Sequence, residues 1–185
     1  MITLVLGGTR SGKSAVADLL AAAAGAATNR PVTYVATAAV DPADADHRAR
    51  IAAHRARRPA SWTTIECHHP DDLVAALQPG PDTEPAPVLV DSLGTWVTRH
   101  PDLTADPAPL VAALTARAAR LAPTVLVTEE VGLAVHPSTE LGRRYVDALG
   151  LVNQAVAAVA TRALLVVAGR ALELGPPPAG SGPGR

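Results

Sequence analysis

With 185 residues and a formal net charge of -1, the chain is long enough to bury a substantial core in one domain and offers no electrostatic reason to expect a nucleic-acid partner. Aromatic residues make up 2% and Phe is absent, which also argues against base-stacking platforms for single strands. The single cysteine, Cys67, excludes an internal disulfide and fits a reducing cytoplasm.

The chain opens with Ile2-Thr3-Leu4-Val5-Leu6, an apolar, β-branched run that reads as a buried strand. It is far too short for a signal peptide or a membrane span, so a cytoplasmic location with no membrane span is expected. Gly7-Gly8-Thr9-Arg10-Ser11-Gly12-Lys13-Ser14 follows, in the G-x-x-x-x-G-K-S pattern of a phosphate-binding loop. The stretch Ala15 to Ala24 is rich in helix formers, so strand, loop and helix come in the required order. Glycines let successive N–H groups and the helix N-terminus face phosphate oxygens. Lys13 can reach the β- and γ-phosphates, and the Ser14 hydroxyl can hold Mg²⁺. Lys13 is the only lysine in the chain. A sequence that uses arginine for every other such charge keeps a compact ammonium where a point charge on phosphate is wanted.

Thr28-Asn29-Arg30-Pro31 is a turn cluster, and Val32 to Thr37 is a second strand. Asp41-Pro42 opens a helix that places His47, Ile51, His54 and Arg58 on one face. Cations around His54 make it a poor metal ligand and oppose imidazolium, which keeps the ring neutral and nucleophilic. The same arginines can hold nucleotide phosphates, or they can be a solvated basic face. Trp62 to Glu66 reads as a short strand. Cys67-His68-His69 has no second Cys/His pair at zinc spacing, so these are read as surface histidines at a strand end. Pro70 to Leu77 suggests a short helix and Pro79 to Pro87 a proline-rich loop.

Val88-Leu89-Val90-Asp91 is an apolar strand ending in an acid. With a phosphate loop present, Asp91 is expected to hold Mg²⁺ or its water shell; by itself it could equally cap the following helix. Further elements are a helix over Pro109 to Leu121, a strand over Thr124 to Thr128 leading into Glu129-Glu130, and one or two helices over Ser138 to Ala160. A last core strand covers Ala163 to Gly169 and can pair with Ala171 to Leu174. Residues 1–174 are expected to form a single P-loop domain and residues 175–185, nearly all Gly, Pro, Ala and Ser, a disordered tail. Strands alternating with helices predict an α/β fold, a mainly parallel sheet with helices on both faces. Its ligand edge lies beyond the strands' carboxyl ends. The loop, Thr37, Glu66, Asp91 and Glu129-Glu130 all fall there.

The chain resembles the bifunctional adenosylcobinamide kinase/adenosylcobinamide-phosphate guanylyltransferase family. The resemblance is carried by Gly7 to Ser14, Tyr34-Val35-Ala36-Thr37-Ala38, Arg50-Ile51, His54-Arg55, Arg58-Pro59, Trp62, Glu66, Val88 to Asp91 and Trp96. It continues through Glu130-Val131-Gly132, Pro137, Arg143, Asp147, Gly150 and Asn153-Gln154. It implies a P-loop NTPase of RecA-like fold, a tendency to trimerise, and two reactions. First, ATP or GTP phosphorylates the aminopropanol hydroxyl of adenosylcobinamide. Then His54 attacks the α-phosphorus of GTP, and adenosylcobinamide phosphate takes the GMP to give adenosylcobinamide-GDP. Guanine-nucleotide contacts would fall on Gly7 to Ser14, on Thr37, Ala38 and Ala39, on Arg55, Ala56, Arg57 and Arg58, and on Glu66 and Asp91. Three positions depart from the family pattern: Glu129 and Arg99 stand where Asn is usual, and Asp46-His47 replaces an acid-Met pair.

Rival readings differ in what they require. An ordinary P-loop small-molecule kinase would use the same loop without needing His54. A GTPase switch would carry an Asn-Lys-x-Asp motif, which the lone Lys13 forbids. A RecA-like motor would need nucleic-acid contacts that the charge and aromatic content do not supply.

Overall fold

The computed structural model describes residues 1–38, 58–78, 85–133 and 135–176. Its strands are β1 (Ile2–Gly7), β2 (Thr33–Ala36), β3 (Thr63–Glu66), β4 (Val88–Asp91), β5 (Thr124–Glu129), β6 (Arg162–Val167) and β7 (Arg170–Leu174). They form one seven-stranded sheet in the order β3-β2-β4-β5-β1-β6-β7. All neighbours run parallel except β7, which returns antiparallel on β6. Ala168 and Gly169, with φ of 52° and 74°, make that last turn.

The described helices are α1 (Lys13–Thr28), α2 (Pro70–Leu77), α3 (Leu93–Val97), α4 (Ala108–Ala119) and α5 (Glu140–Val159), with a 3-10 turn at Pro101–Leu103. Alternation along each strand divides the core in two. Ile2, Leu4, Leu6, Val88, Val90 and Leu126 face α2 to α5, where Leu73, Trp96, Leu114 and Val152 meet them. Val5, Leu89, Val125 and Val127 face the other way and pack on Ala17 and Ala21 of α1. Each fully buried Leu or Val on these faces contributes about 1.5–3 kcal/mol. The small residues Ala17, Ala21 and Gly25 are the buried stripe of α1. Their size lets the helix lie close to the sheet, so its N-terminus is held against the strand ends. The expected α/β sheet, covered on both faces, is what the described residues form.

The helix after the phosphate loop takes in Ala15 to Ala24 and ends at the Thr28-Asn29-Arg30-Pro31 turn cluster, as expected. It begins at Lys13, because the end of the loop is already its first turn, and stops where Asn29 turns left-handed with φ of 51°. β5 runs one residue further than predicted, to Glu129, because it stays paired with β1 up to Gly7. Between Ser138 and Ala160 there is one helix, whose N-cap Thr139 accepts a hydrogen bond from the Gly142 N–H at 3.1 Å. His68 and His69 are exposed, and their N–H groups donate to Asp72 Oδ2 at 2.7 and 2.8 Å to start α2. Among the described residues no group of Cys, His, Asp and Glu could hold a metal ion by itself, and no helix is long and apolar enough to cross a membrane. The predicted helix through His47, Ile51 and His54, most of the proline-rich loop, and residues 177–185 of the predicted tail lie outside the described residues.

Candidate active site

The loop between β1 and α1 folds back on itself. The Ser11 N–H donates to Gly8 O at 3.2 Å, and Ser11 O accepts the Gly169 N–H at 2.7 Å, tying the loop to the β6–β7 turn. Gly12 caps α1 at φ 93°, and a Cβ there would lie 3.0 Å from Gly169 Cα. Both the left-handed backbone and the close approach require glycine. The Lys13 N–H donates to Ser11 Oγ at 3.3 Å, and the N-cap Gly12 has no side chain with which to bond the N–H groups that follow, so the positive end of the helix faces the loop, where an anion can bind. Thr9 and Arg10 are exposed, Ser11 to Ser14 are half-buried, and Gly7 is buried at the end of β1.

Register brings the acids to this edge. Gly7 pairs with Glu129, while Ala36 sits between Asp91 on one side and Glu66 on the other. Lys13 Nζ donates to Gly8 O at 3.4 Å and lies 3.7 Å from Glu129 Oε1. The Ser92 hydroxyl donates to Glu129 Oε2 at 3.1 Å. Burial raises the pKa of Glu129, against the opposing pull of Lys13 and Ser92. The carboxylate and the Tyr145 hydroxyl both occupy the space beside Gly94, where a Cβ would collide with them. Burial and the nearby Glu129 push the Tyr145 phenol up to about 12, so it stays protonated. Behind the strand, buried Asn153 accepts from Thr128 Oγ1 at 2.6 Å and donates to Glu129 O at 3.1 Å. Helix α5 thereby sets the end of β5.

The chain leaves β4 through a cis Asp91–Ser92 peptide. Tyr34 donates its hydroxyl to Asp91 Oδ2 at 2.6 Å, and the Arg58 guanidinium lies 3.4 Å from the Tyr34 ring centroid. Asp91 lies two residues beyond Leu89, which packs on the α1 side, so its side chain shares the face on which Ser14 opens α1. A serine hydroxyl and a carboxylate are hard oxygen donors, and Mg²⁺ uses few protein ligands, keeping water and phosphate for the rest. Ser14 and Asp91 fit that ion.

Not every predicted contact is placed alike. Thr37 is fully buried and its polar groups are already taken. Its hydroxyl donates to Ser92 O at 2.6 Å, accepts the Ser92 N–H at 2.9 Å, and lies 2.6 Å from Thr95 Oγ1. Its N–H donates to Asp91 O at 3.2 Å, and its carbonyl accepts Arg99 Nε at 2.6 Å. Thr37 is therefore a clamp between β2 and β4 rather than a hand held out to a ligand. Arg99, also bonded to His68 O at 2.9 Å, locks the same corner. Ala38 is half-buried beside it, and Glu66 is exposed at the end of edge strand β3. Ala39, His54, Arg55, Ala56 and Arg57 lie outside the described residues. Sequence reading gave no role to Glu129, Ser92, Thr95, Arg99 or Tyr145. Only the position of Glu129 at a strand end pointed to it.

A phosphate loop heading a helix, at the carboxyl edge of a parallel sheet with an acid on a nearby strand, defines a P-loop nucleotide-binding protein. Solved structures agree on the fold. FlaH, a flagellar accessory protein of Methanocaldococcus jannaschii, matches with a TM-score of 0.53 at 15% identity, over 89% of this chain and 70% of its own. A KaiC-like protein of Pyrococcus horikoshii matches at 0.50 and 14%, over 89% and 69%. The family model for cobinamide kinase / cobinamide phosphate guanyltransferase matches residues 3–174, and the chain belongs to that family. It is 41% identical over 180 residues to the bifunctional adenosylcobalamin biosynthesis protein CobP of Pseudomonas aeruginosa, covering 94% of this chain and 97% of that protein. The corresponding protein CobU of Escherichia coli is 35% identical over 190 residues, covering 91% and 97%.

Proposed function

We propose that this chain catalyses two successive transfers at the carboxyl edge of its sheet. It phosphorylates the aminopropanol hydroxyl of adenosylcobinamide with ATP or GTP, then transfers GMP from GTP to the adenosylcobinamide phosphate formed. The observation that carries the reading is Lys13 at the head of α1, with Glu129 and Asp91 on neighbouring strands of the same edge, in a chain whose family match spans residues 3–174. In the kinase step Lys13 and the loop N–H groups hold the phosphates, and the acceptor oxygen bonds the γ-phosphorus as the bond to the β-phosphate bridge breaks. Mg²⁺, held by Ser14 and Asp91, would neutralise charge on the phosphate oxygens.

In the second reaction a ring nitrogen of His54 bonds the α-phosphorus of GTP and pyrophosphate departs. A phosphate oxygen of adenosylcobinamide phosphate then attacks that phosphorus, the P–N bond breaks, and adenosylcobinamide-GDP leaves with His54 restored. Arg55, Arg57 and Arg58 would hold phosphate oxygens during both halves, and Glu66 would meet the nucleotide from β3. A cytoplasmic homo-oligomer, a trimer by the family resemblance, is part of the same reading.

Incubating the protein with Mg²⁺ and GTP labelled at the α-phosphate should leave acid-labile label on the parent chain and none on His54→Ala. A parent that binds GTP and stays unlabelled would overturn the covalent step and favour an ordinary P-loop kinase.

A further inference from the structure

We propose that Tyr34 is a positioning residue that joins the two halves of the nucleotide site, its hydroxyl setting the Asp91 carboxylate and its ring face seating Arg58. The inference rests on the reading above, in which Asp91 serves Mg²⁺ and Arg58 serves the nucleotide. Tyr34 is 3% exposed and stands in β2, flanked by β3 and β4. Its register partner is Leu89, so Asp91 lies diagonally across on the same face, within reach of an aromatic side chain. The hydroxyl spans that diagonal to Asp91 Oδ2 at 2.6 Å, the length of a charge-assisted O–H···O⁻ bond. Such a bond fixes the rotation of a carboxylate, as the outer partners of metal ligands do.

The other side of the residue carries the second contact. The Arg58 guanidinium stacks 3.4 Å from the ring centroid. Its Nη1 donates to Thr64 Oγ1 at 3.3 Å, whereas its Nε is buried without a hydrogen-bond partner. The ring face is thus one of the surfaces against which the guanidinium plane lies. Trp62 packs against the same cluster as Tyr34 and walls in this corner. Phenylalanine would fill the core here equally well. A buried hydroxyl that finds no partner is costly, so its place against the strand-end acid is explained by the acid. Burial foremost, with Asp91 adding to it, raises the phenol pKa well above its ordinary value, and Tyr34 remains a donor.

Two substitutions separate the contacts. Tyr34→Phe keeps the ring and removes the donor; Tyr34→Leu removes both. The measurement is equilibrium binding of a fluorescent GTP analogue to the full chain, with and without Mg²⁺, alongside KM and kcat for guanylyl transfer. Tyr34→Phe should raise the Mg²⁺ concentration at half-effect about tenfold and leave Mg²⁺-free nucleotide binding unchanged. Tyr34→Leu should in addition weaken Mg²⁺-free binding several-fold and raise KM for GTP. In an Asp91→Ala background Tyr34→Phe should add no further shift, a non-additivity that a merely structural tyrosine would not produce. The proposal is overturned if Asp91→Ala moves the Mg²⁺ midpoint and Tyr34→Phe does not, or if Tyr34→Leu binds nucleotide like Tyr34→Phe. If Asp91→Ala itself leaves the midpoint in place, the metal assignment fails first. Should Tyr34→Leu not fold, the Phe variant alone still decides the carboxylate contact.

Discussion

The two edges of this sheet treat charge in opposite ways. At the amino edge Arg117, 3% exposed at the end of α4, donates from Nε to Thr124 Oγ1 at 3.0 Å and from Nη2 to Ala86 O at 2.7 Å. It ties the beginnings of β4 and β5 together. Burial lowers its pKa to about 10, which leaves the guanidinium charged at neutral pH. At the carboxyl edge the Lys13 ammonium stands 3.7 Å from Glu129, with a 3.4 Å bond to Gly8 O its one hydrogen bond among the described residues. One cation is held at hydrogen-bonding distance by two oxygens. The other has a loose partner that a phosphate can replace. The buried Arg117 charge is closely satisfied, whereas the Lys13 charge has long contacts that another anion can exchange.

Removing each cation should therefore do different damage. Lys13→Ala should cost at least about 10²-fold in both nucleotide-dependent rates, the scale of losing one transition-state charge contact, while the melting temperature hardly moves. Retained turnover would break the comparison at its functional end. Arg117→Met should do the reverse. With both Arg117 hydrogen bonds lost, unfolding should become easier by about 1–3 kcal/mol, read as a lower urea midpoint, while the folded fraction keeps its guanylylation by GTP. A lost label at unchanged stability would show that the amino edge reaches the site.

The fold was legible because its signals are local. Runs such as Val88 to Val90 and Thr124 to Thr128 declare buried strands, and the glycine-lysine loop announces the strand–helix junction that it occupies. A strand ending in an acid is equally local, and β4 does end at Asp91. The remainder of the site depends on strand order, which no local run encodes. Glu129 meets Lys13 because β5 lies beside β1 and outruns β4 at the carboxyl edge. Thr37 looks like an available hydroxyl at a strand end until Ser92 and Thr95 close over it. Tyr34 reads as a core aromatic until the diagonal to Asp91 is known. Arg99, a departure from the family pattern, is explained by two carbonyls brought together, Thr37 just past β2 and His68 just ahead of α2.

Proximity to the carboxyl edge does not by itself make a polar group functional, and His100 offers the finest test of that distinction. It follows α3 and meets the buried Trp96 ring edge-on, with centroids 4.6 Å apart. Its Nε2 is buried without a hydrogen-bond partner. Burial lowers its pKa below the ordinary 6.5, while Asp71 pulls the other way. Between the folded and unfolded values the unfolded chain binds more protons, so stability rises as pH climbs through that window. The contribution is complete above 6.5 and is lost as the pH falls toward the folded value. His100→Gln removes the titration. Its urea midpoint should depend less on pH across this window than the parent's, by less than about 1 kcal/mol because solvent screens a partly exposed ring. Guanylyl transfer should keep its pH profile. A profile that shifted with the substitution would move His100 from the fold into the site.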